Sequence, residues 1–238
     1  ATVGTLFASS FASSPERPAA TLARTFGSVS GYSSNAEVLR ITTPHLASLN
    51  ETARKLAAGV RAPGWKPACM LEGEPSAACV RDFIQRFGAA IFRRPLTDEE
   101  QARYTGLHAT LKKTNAADES LELVVRAFLL SPRFLFRSAL GEAATAGAPF
   151  DLSVYERASA LSYALTDGPP DAELLAAAER GALATNTGVA EQATRLLRSA
   201  SSSGGLRRFF EEYLLYPDVA ESPKNPKVLD DSTVLGEM

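Results

Sequence analysis

Apolar residues recur at intervals of three and four positions along most of this chain from residue 43 onward. This spacing places them on one face of an α-helix, because the helix completes a turn about every 3.6 residues. The sequence contains no convincing alternation of apolar and polar residues of the length that a half-buried strand requires. The periodicity predicts an all-α protein, an irregular bundle of about seven or eight helices with an extended N-terminal segment.

Capping residues, prolines and glycines indicate where the helices begin and end. Thr43 is the expected N-cap of the first helix, with Pro44 at its first position. Ser153 and Glu156 have the spacing of a capping box, and Pro132 is expected to end or bend the helix before it. The clearest apolar faces belong to three helices and comprise Val80, Phe83, Ile84, Phe87 and Ile91; Leu121, Val124, Val125, Phe128 and Leu129; and Leu206, Phe209, Phe210, Tyr213 and Leu214.

The stretch "IFRRPLTDEEQ" joins two of these helices. Arg93 and Arg94 complement the negative end of the first helix, and the following proline disfavours helical geometry at Arg94. Thr97 then caps the next helix, with Glu100 completing a capping box. Ending one helix and starting another accounts for every charge in the stretch, so no active site is predicted there.

The chain divides into three parts by composition. Residues 1–40 are rich in Ser, Thr, Ala and Gly and are expected to be extended or partly ordered. Residues 41–140 form a helical subdomain that contains the Cys69–Cys79 loop. After the flexible connector "GEAATAGAP", residues 141–238 form a second helical subdomain, which we interpret as truncated at its C-terminus.

Charge and hydropathy argue against two classes of protein, nucleic-acid-binding and membrane-spanning. The formal net charge is −2, and the basic residues are scattered, which argues against a general nucleic-acid-binding protein. No run approaches the roughly 18 apolar residues of a membrane-spanning helix.

Cys69 and Cys79 are the only cysteines, and nine residues separate them. The spacing suits a disulfide-closed loop, but it suits two separate buried thiols equally well. A zinc site would need further ligands, and His45 and His108 are the only histidines.

No set of residues in the sequence has the spacing of a catalytic, cofactor-binding or metal site. Neither histidine has a neighbouring ligand or triad partner, and there is no phosphate-binding loop, Gly-x-Ser-x-Gly, His-Glu-x-x-His or Cys-x-x-Cys-His. The acidic groups Asp98 to Glu100, Glu211 with Glu212, and Asp230 with Asp231 are interpreted as capping residues or solvated faces rather than acid–base pairs.

Two further groups of side chains have alternative interpretations. Arg126, Arg133 and Arg137 surround one apolar helix, and they either bind an anion or cover the edges of that helix with their stems. The aromatic residues of the last helix are interpreted as core, with partner docking as the alternative.

Several stretches together resemble one family: "FIQRFGAAIFRRPLTDEEQARY", "ELVVRAFLLSPRFLFR", "YERASALSYALTDGPPDAELLAAAERGAL" and "QATRLLRSASSSGGLRRFFEEYLL". They are similar to helical domains of unknown function in large secreted proteins of planctomycetes and myxobacteria, where these domains adjoin cytochrome c-like domains. The resemblance runs from about Gly31 to the C-terminus. It implies a periplasmic or cell-surface location and favours a Cys69–Cys79 disulfide. It places haem c in a downstream domain or a partner, with no cofactor in this segment and no catalytic residues to carry over.

The expected function is therefore a non-catalytic helical structural or interaction module of an extracytoplasmic, cytochrome c-associated redox protein or complex. Its expected partner is a haem-containing protein or neighbouring domain, with peripheral association to a membrane complex. One alternative is a secreted, hydrolase-like enzyme that acts on cell-surface polymers. Another is a ligand-binding protein of the cell envelope.

Overall fold

The computed structural model describes residues 41–61, 68–70, 73–137, 139–141 and 151–214. Within these ranges the chain forms nine α-helices and no strand, which confirms the all-α prediction. Eight of the helices have at least seven residues, as expected, and the ninth is a single turn. The helices are α1 (Thr43–Ala58), α2 (Ala77–Phe92), α3 (Asp98–Leu111), α4 (Ala117–Leu129), α5 (Pro132–Leu135), α6 (Val154–Thr166), α7 (Ala172–Glu179), α8 (Asn186–Leu197) and α9 (Ser202–Leu214).

The predicted N-terminal segment, residues 1–40, and most of the predicted connector lie outside the described residues. None of the helices described is long and apolar enough to cross a membrane.

The first core is built around α4, whose five predicted apolar residues are all buried. Phe128 is fully buried at its centre, with its ring 5.4 Å from that of Phe92, 5.5 Å from that of Phe87 and 3.6 Å from that of Tyr104. The rings therefore join α4 to both α2 and α3. Burial of these apolar side chains is the main stabilising contribution to this part of the fold.

A second, smaller core lies among α6, α7 and α8, with Ala158, Leu174 and Leu196 buried at its centre. The helix α9 packs on α6 through Gly205, where an added Cβ would lie 2.6 Å from the carbonyl oxygen of Leu165. The two cores are separate clusters of buried residues. The division of the chain between residues 140 and 141 stays a prediction.

Both predicted capping boxes are present. The N–H of Glu100 donates to Oγ1 of Thr97 at 3.2 Å, and the N–H of Thr97 donates to Oε2 of Glu100 at 3.0 Å. Ser153 and Glu156 make the same reciprocal pair at the start of α6. Each box satisfies two backbone donors that a helix N-terminus leaves without a partner.

Two other helix ends differ from the prediction. The N-cap of α1 is Thr42 rather than Thr43, with its N–H donating to Nδ1 of His45 at 3.3 Å. Pro132 does not end a helix but begins one, because α4 already ends at Leu129 and Ser131 caps the single turn of α5. Proline suits a first helical turn, since its missing N–H would have no helical acceptor there.

Cys69 and Cys79 form a disulfide, which confirms the pairing that the resemblance favours. Cys79 is buried in the first turn of α2, and Cys69 lies in a short 3-10 turn before it. The bond therefore ties the preceding loop to the start of a helix in the first core.

Candidate functional site

The apolar side chains of α9 are exposed, so the favoured interpretation of these residues as core is wrong. The helix packs on α6 through small residues, with Ser202 and Gly205 buried. The larger side chains point elsewhere and have exposed fractions of 42% for Leu206, 47% for Phe209, 50% for Phe210, 62% for Tyr213 and 59% for Leu214. We call these five residues the α9 face.

Ion pairs border the α9 face. Arg207 pairs with Glu211 at 2.7 Å and Arg208 with Glu212 at 3.2 Å, each one helical turn apart. Arg208 also pairs at 2.9 Å with Asp167, which caps the C-terminus of α6. The α9 face thus has an aromatic centre and a charged border.

Glu100 lies at the centre of a second feature, where α3 meets α5. Arg94 donates two hydrogen bonds of 2.8 Å to its carboxylate, and Arg133 forms an ion pair with it at 3.0 Å. The hydrogen bonds from Arg94 are the main cause of the lowered pKa of Glu100, and the backbone of Thr97 adds to them. This carboxylate stays ionised at neutral pH and is held in place.

Arg93 does more than complement a helix end. Its backbone is in the left-handed region (φ 59°) at the C-cap of α2, and its side chain is buried, with 6% exposed. The guanidinium donates to the carbonyl oxygens of Arg133 at 2.7 Å, Phe136 at 3.2 Å and Phe134 at 3.5 Å. Arg93 therefore joins α2 to the end of α5, forty residues later in the chain.

Tyr163, on α6 in the second half of the chain, lies beside Arg93 and Arg137. The guanidinium carbon of Arg137 lies 5.0 Å from the centre of the Tyr163 ring. Burial is the main cause of a lowered pKa of Arg93; the charge of Arg137 adds to the lowering, and interaction with Tyr163 opposes it. We call Arg93, Arg94, Glu100, Arg133, Arg137 and Tyr163 the arginine junction.

Glu156 lies on the same face of α6 as Tyr163, two turns nearer the N-terminus of the helix. Its carboxylate accepts hydrogen bonds from the N–H groups of Leu140 at 2.9 Å and Gly141 at 3.3 Å. One face of α6 is thus fixed to the end of the first half at two points. The pKa of Glu156 is lowered: burial acts to raise it, and the hydrogen bonds it accepts outweigh that effect.

The structure separates the three arginines that the sequence groups together. Arg133 and Arg137 lie in the arginine junction, whereas Arg126 donates to Oδ1 of Asn50 at 2.8 Å on α1. His108 is buried on α3, its Nε2 has no hydrogen-bond partner, and burial and the charge of Lys112 lower its pKa.

The remaining acidic candidates that the structure describes do not form a metal site. Within the part of the chain that the structure describes, no group of three or more His, Cys, Asp or Glu residues could hold a metal ion. Asp230 and Asp231 lie outside that part.

Sequence reasoning missed the roles of Arg93 and Tyr163. One available signal was that the apolar stripe of α2 ends at an arginine, where glycine or asparagine is the usual C-terminal residue. The acceptors of Arg93 and the position of Tyr163 depend on how distant segments meet, which periodicity does not reveal.

Comparison with known families gives two matches, one on each side of the junction. Residues 79–138 match the family described as protein of unknown function DUF1595, and residues 152–235 match the family described as protein of unknown function DUF1592. The chain thus carries two helical domains of unknown function. They are a DUF1595 domain followed by a DUF1592 domain. Neither the curated proteins nor the solved structures give a match.

The matches place the arginine junction between the two domains. Its arginines and Glu100 lie in the DUF1595 match, and Tyr163 lies in the DUF1592 match. The origin in planctomycetes or myxobacteria and the neighbouring cytochrome c-like domain stay predictions.

Proposed function

We propose that this chain is a non-catalytic helical interaction module of an extracytoplasmic protein, and that the α9 face binds its protein partner. The observation that carries the proposal is the exposure of large apolar side chains along one side of α9. A contiguous apolar surface with a polar border is typical of a protein–protein interaction site.

The arrangement of the α9 face suits recognition of a helix by a groove. Leu206, Phe210 and Tyr213 recur at helical spacing, as do the anchors of amphipathic helices that bind grooves. Aromatic residues are enriched among those that contribute most to binding, because they bury a large area at a small cost in conformational entropy. The bordering arginines and glutamates provide the charged rim.

The partner we propose is a haem-containing domain or subunit of the same extracytoplasmic redox assembly. The support for this step is the resemblance to secreted proteins in which such domains adjoin cytochrome c-like domains. The proposed location, periplasmic or cell-surface, is supported by the Cys69–Cys79 disulfide, because disulfides persist mainly in oxidising compartments.

The contacts of the acidic residues favour this proposal over a hydrolase-like enzyme. Acid–base catalysis needs a carboxylate whose proton exchange is matched to the reaction. Glu100, Glu211 and Glu212 are each engaged in an ion pair with an arginine. No particular pair of carboxylates in the described residues supports the alternative.

The proposal is tested by isolating the protein from its source after mild cross-linking and recording the visible absorption of what accompanies it. Haem absorption in the cross-linked species is expected. The variants Phe210→Asp and Tyr213→Asp place a charge in the α9 face and should abolish the cross-link, because an unpaired charge in an apolar interface is costly to bury.

Leu46→Asp is the matched control, since Leu46 is an apolar residue that is 52% exposed on α1, a helix that packs in the first core. The control should keep the cross-link. A haem-free partner would contradict the proposed redox assembly, and unchanged cross-linking of both α9 variants would contradict the proposed interaction surface.

A further inference from the structure

We propose that the arginine junction binds an oxyanion, a carboxylate or phosphate group, through the guanidinium of Arg137 and in the field of the buried Arg93. This inference is independent of the α9 face. It rests on the charge balance of the junction, on the position of Arg93 and on the donors of Arg137.

The junction holds more positive than negative charge. It contains four guanidinium groups, those of Arg93, Arg94, Arg133 and Arg137, and one carboxylate, that of Glu100, which pairs with Arg94 and Arg133. Glu100 is already shared by Arg94 and Arg133. Among the residues that the structure describes, neither Arg93 nor Arg137 forms an ion pair with a carboxylate.

Arg93 occupies a position that an arginine rarely adopts. Left-handed backbone geometry is unfavourable for a residue with a Cβ, and glycine would satisfy it without strain. Such strained positions are frequent at functional sites, where the surrounding structure holds the backbone in place. Here the side chain places a buried positive charge beside the second domain. Three backbone carbonyl groups and Tyr163 hold it there, and none of these groups is a carboxylate.

Arg137 offers the donors that an oxyanion needs. Its guanidinium lies over the face of the Tyr163 ring, and stacking of this kind leaves the N–H groups at the edge of the guanidinium plane. Arg137 is exposed, and its side chain donates no hydrogen bond within the described part of the chain. A planar fork of N–H donors matches the two oxygens of a carboxylate or phosphate.

An anion at this point would also relieve the repulsion between two cations. The charge of Arg137 is close enough to Arg93 to disfavour its protonated form. A negative group bound by Arg137 would interact favourably with both guanidiniums, and the lower effective dielectric constant around the buried Arg93 strengthens its part of the interaction.

The test is isothermal titration of the whole chain with inorganic phosphate and, separately, with acetate, at constant ionic strength kept with chloride. Saturable binding of at least one anion is expected. Arg137→Gln should weaken it by about ten- to a hundredfold, the factor that follows from losing a hydrogen bond to a charged group. Tyr163→Leu, which removes the stacking surface, should weaken it in the same direction.

Arg198→Gln is the control, because Arg198 is an exposed arginine of the second domain, at the C-cap of α8. The affinity of Arg198→Gln for the anion should stay within about twofold of that of the wild type, a difference of less than 0.5 kcal/mol. The absence of saturable binding to the wild type, equal affinity in Arg137→Gln, or equal loss in Arg198→Gln would each overturn the proposal. Preference for phosphate over acetate identifies a phosphate ligand, and the reverse preference a carboxylate.

Discussion

Arg94 donates two hydrogen bonds, each 2.8 Å long, to the carboxylate of Glu100 six residues later. The pair spans the turn between α2 and α3, so it fixes the angle at which these helices leave the turn. Arg133 contacts the same carboxylate from α5, which makes Glu100 the point where three helical segments are held together.

Replacing Glu100 by glutamine should lower the free energy of unfolding by about 2 kcal/mol at pH 7. Glutamine can still complete the capping box, so the loss comes from leaving Arg94 and Arg133 without their carboxylate; partial exposure of both arginines keeps it below the value for fully buried pairs. Urea unfolding measures the change.

The loss in Glu100→Gln should depend on pH in a defined direction. The pKa of Glu100 is lowered from 4.5, so its contribution is present above pH 4.5 and disappears as pH falls through the lowered pKa. Glu51→Gln is the control, because Glu51 pairs with Arg54 on the open surface of α1, and it should leave stability unchanged. A difference between wild type and Glu100→Gln that persists in acid would contradict this origin.

Two neighbouring glycines on α9 should respond oppositely to alanine. At Gly205 the new Cβ would lie 2.6 Å from the carbonyl oxygen of Leu165, whereas at Gly204 it would meet nothing within 4 Å. We expect Gly205→Ala to destabilise the protein by about 1–3 kcal/mol. Gly204→Ala should stabilise it by about 0.5–1 kcal/mol, because alanine is the better helix former. Thermal and urea unfolding of the pair compare the two, and equal effects would mean that α9 does not pack on α6 through Gly205.

His108 should make the protein less stable as the solution becomes mildly acidic. Its pKa is lowered from 6.5 by burial and by the charge of Lys112, so the unfolded chain binds a proton more readily than the folded one. Stability should fall as pH drops below 6.5 and level off below the lowered pKa. His108→Leu should flatten this part of the profile.

Lys112→Gln should reduce the same slope without abolishing it, because it removes the smaller of the two causes. Lys113→Gln is the matched control, since its charge does not contribute to the shift of His108. Unfolding free energies measured from pH 7.5 to 5 decide the outcome. A slope that survives in His108→Leu would assign it to another group.

The disulfide should contribute about 2–3 kcal/mol to stability, the loop-closure value for a bridge of this span. The double variant Cys69→Ser/Cys79→Ser is expected to unfold at correspondingly lower urea concentration. Adding a reductant to the wild type should reproduce the loss, and adding it to the double variant should change nothing. Equal stability of the oxidised wild type and the double variant would contradict this contribution.

Much of the fold was predictable because it depends on neighbours in the chain. The apolar stripe through Phe128 and the capping boxes at Thr97 and Ser153 involve residues within one or two turns, and local spacing determines them. The spacing of Cys69 and Cys79 is compatible with a disulfide and with two separate thiols, and only the resemblance favours the disulfide.

The candidate sites were harder to predict because they depend on which faces of the helices meet. The spacing of Phe210 and Tyr213 predicts core positions, but both are exposed because α9 packs on α6 through Gly205, on its other side. The position of Arg93 predicts a charge at a helix end. Its hydrogen bonds to carbonyl groups forty residues later depend on the folded structure. Spacing along one helix does not determine whether its large apolar face or its small-residue face packs against another helix.

The helix α6 contacts the first domain through Glu156 and Tyr163, and it supports α9 near Leu165. A ligand at Arg137 and a protein on α9 would therefore both act on the C-terminal end of α6, where Tyr163 and Leu165 are two residues apart. If occupancy of one site shifts this end of α6, thermodynamic linkage requires each binding event to alter the affinity of the other by the same factor.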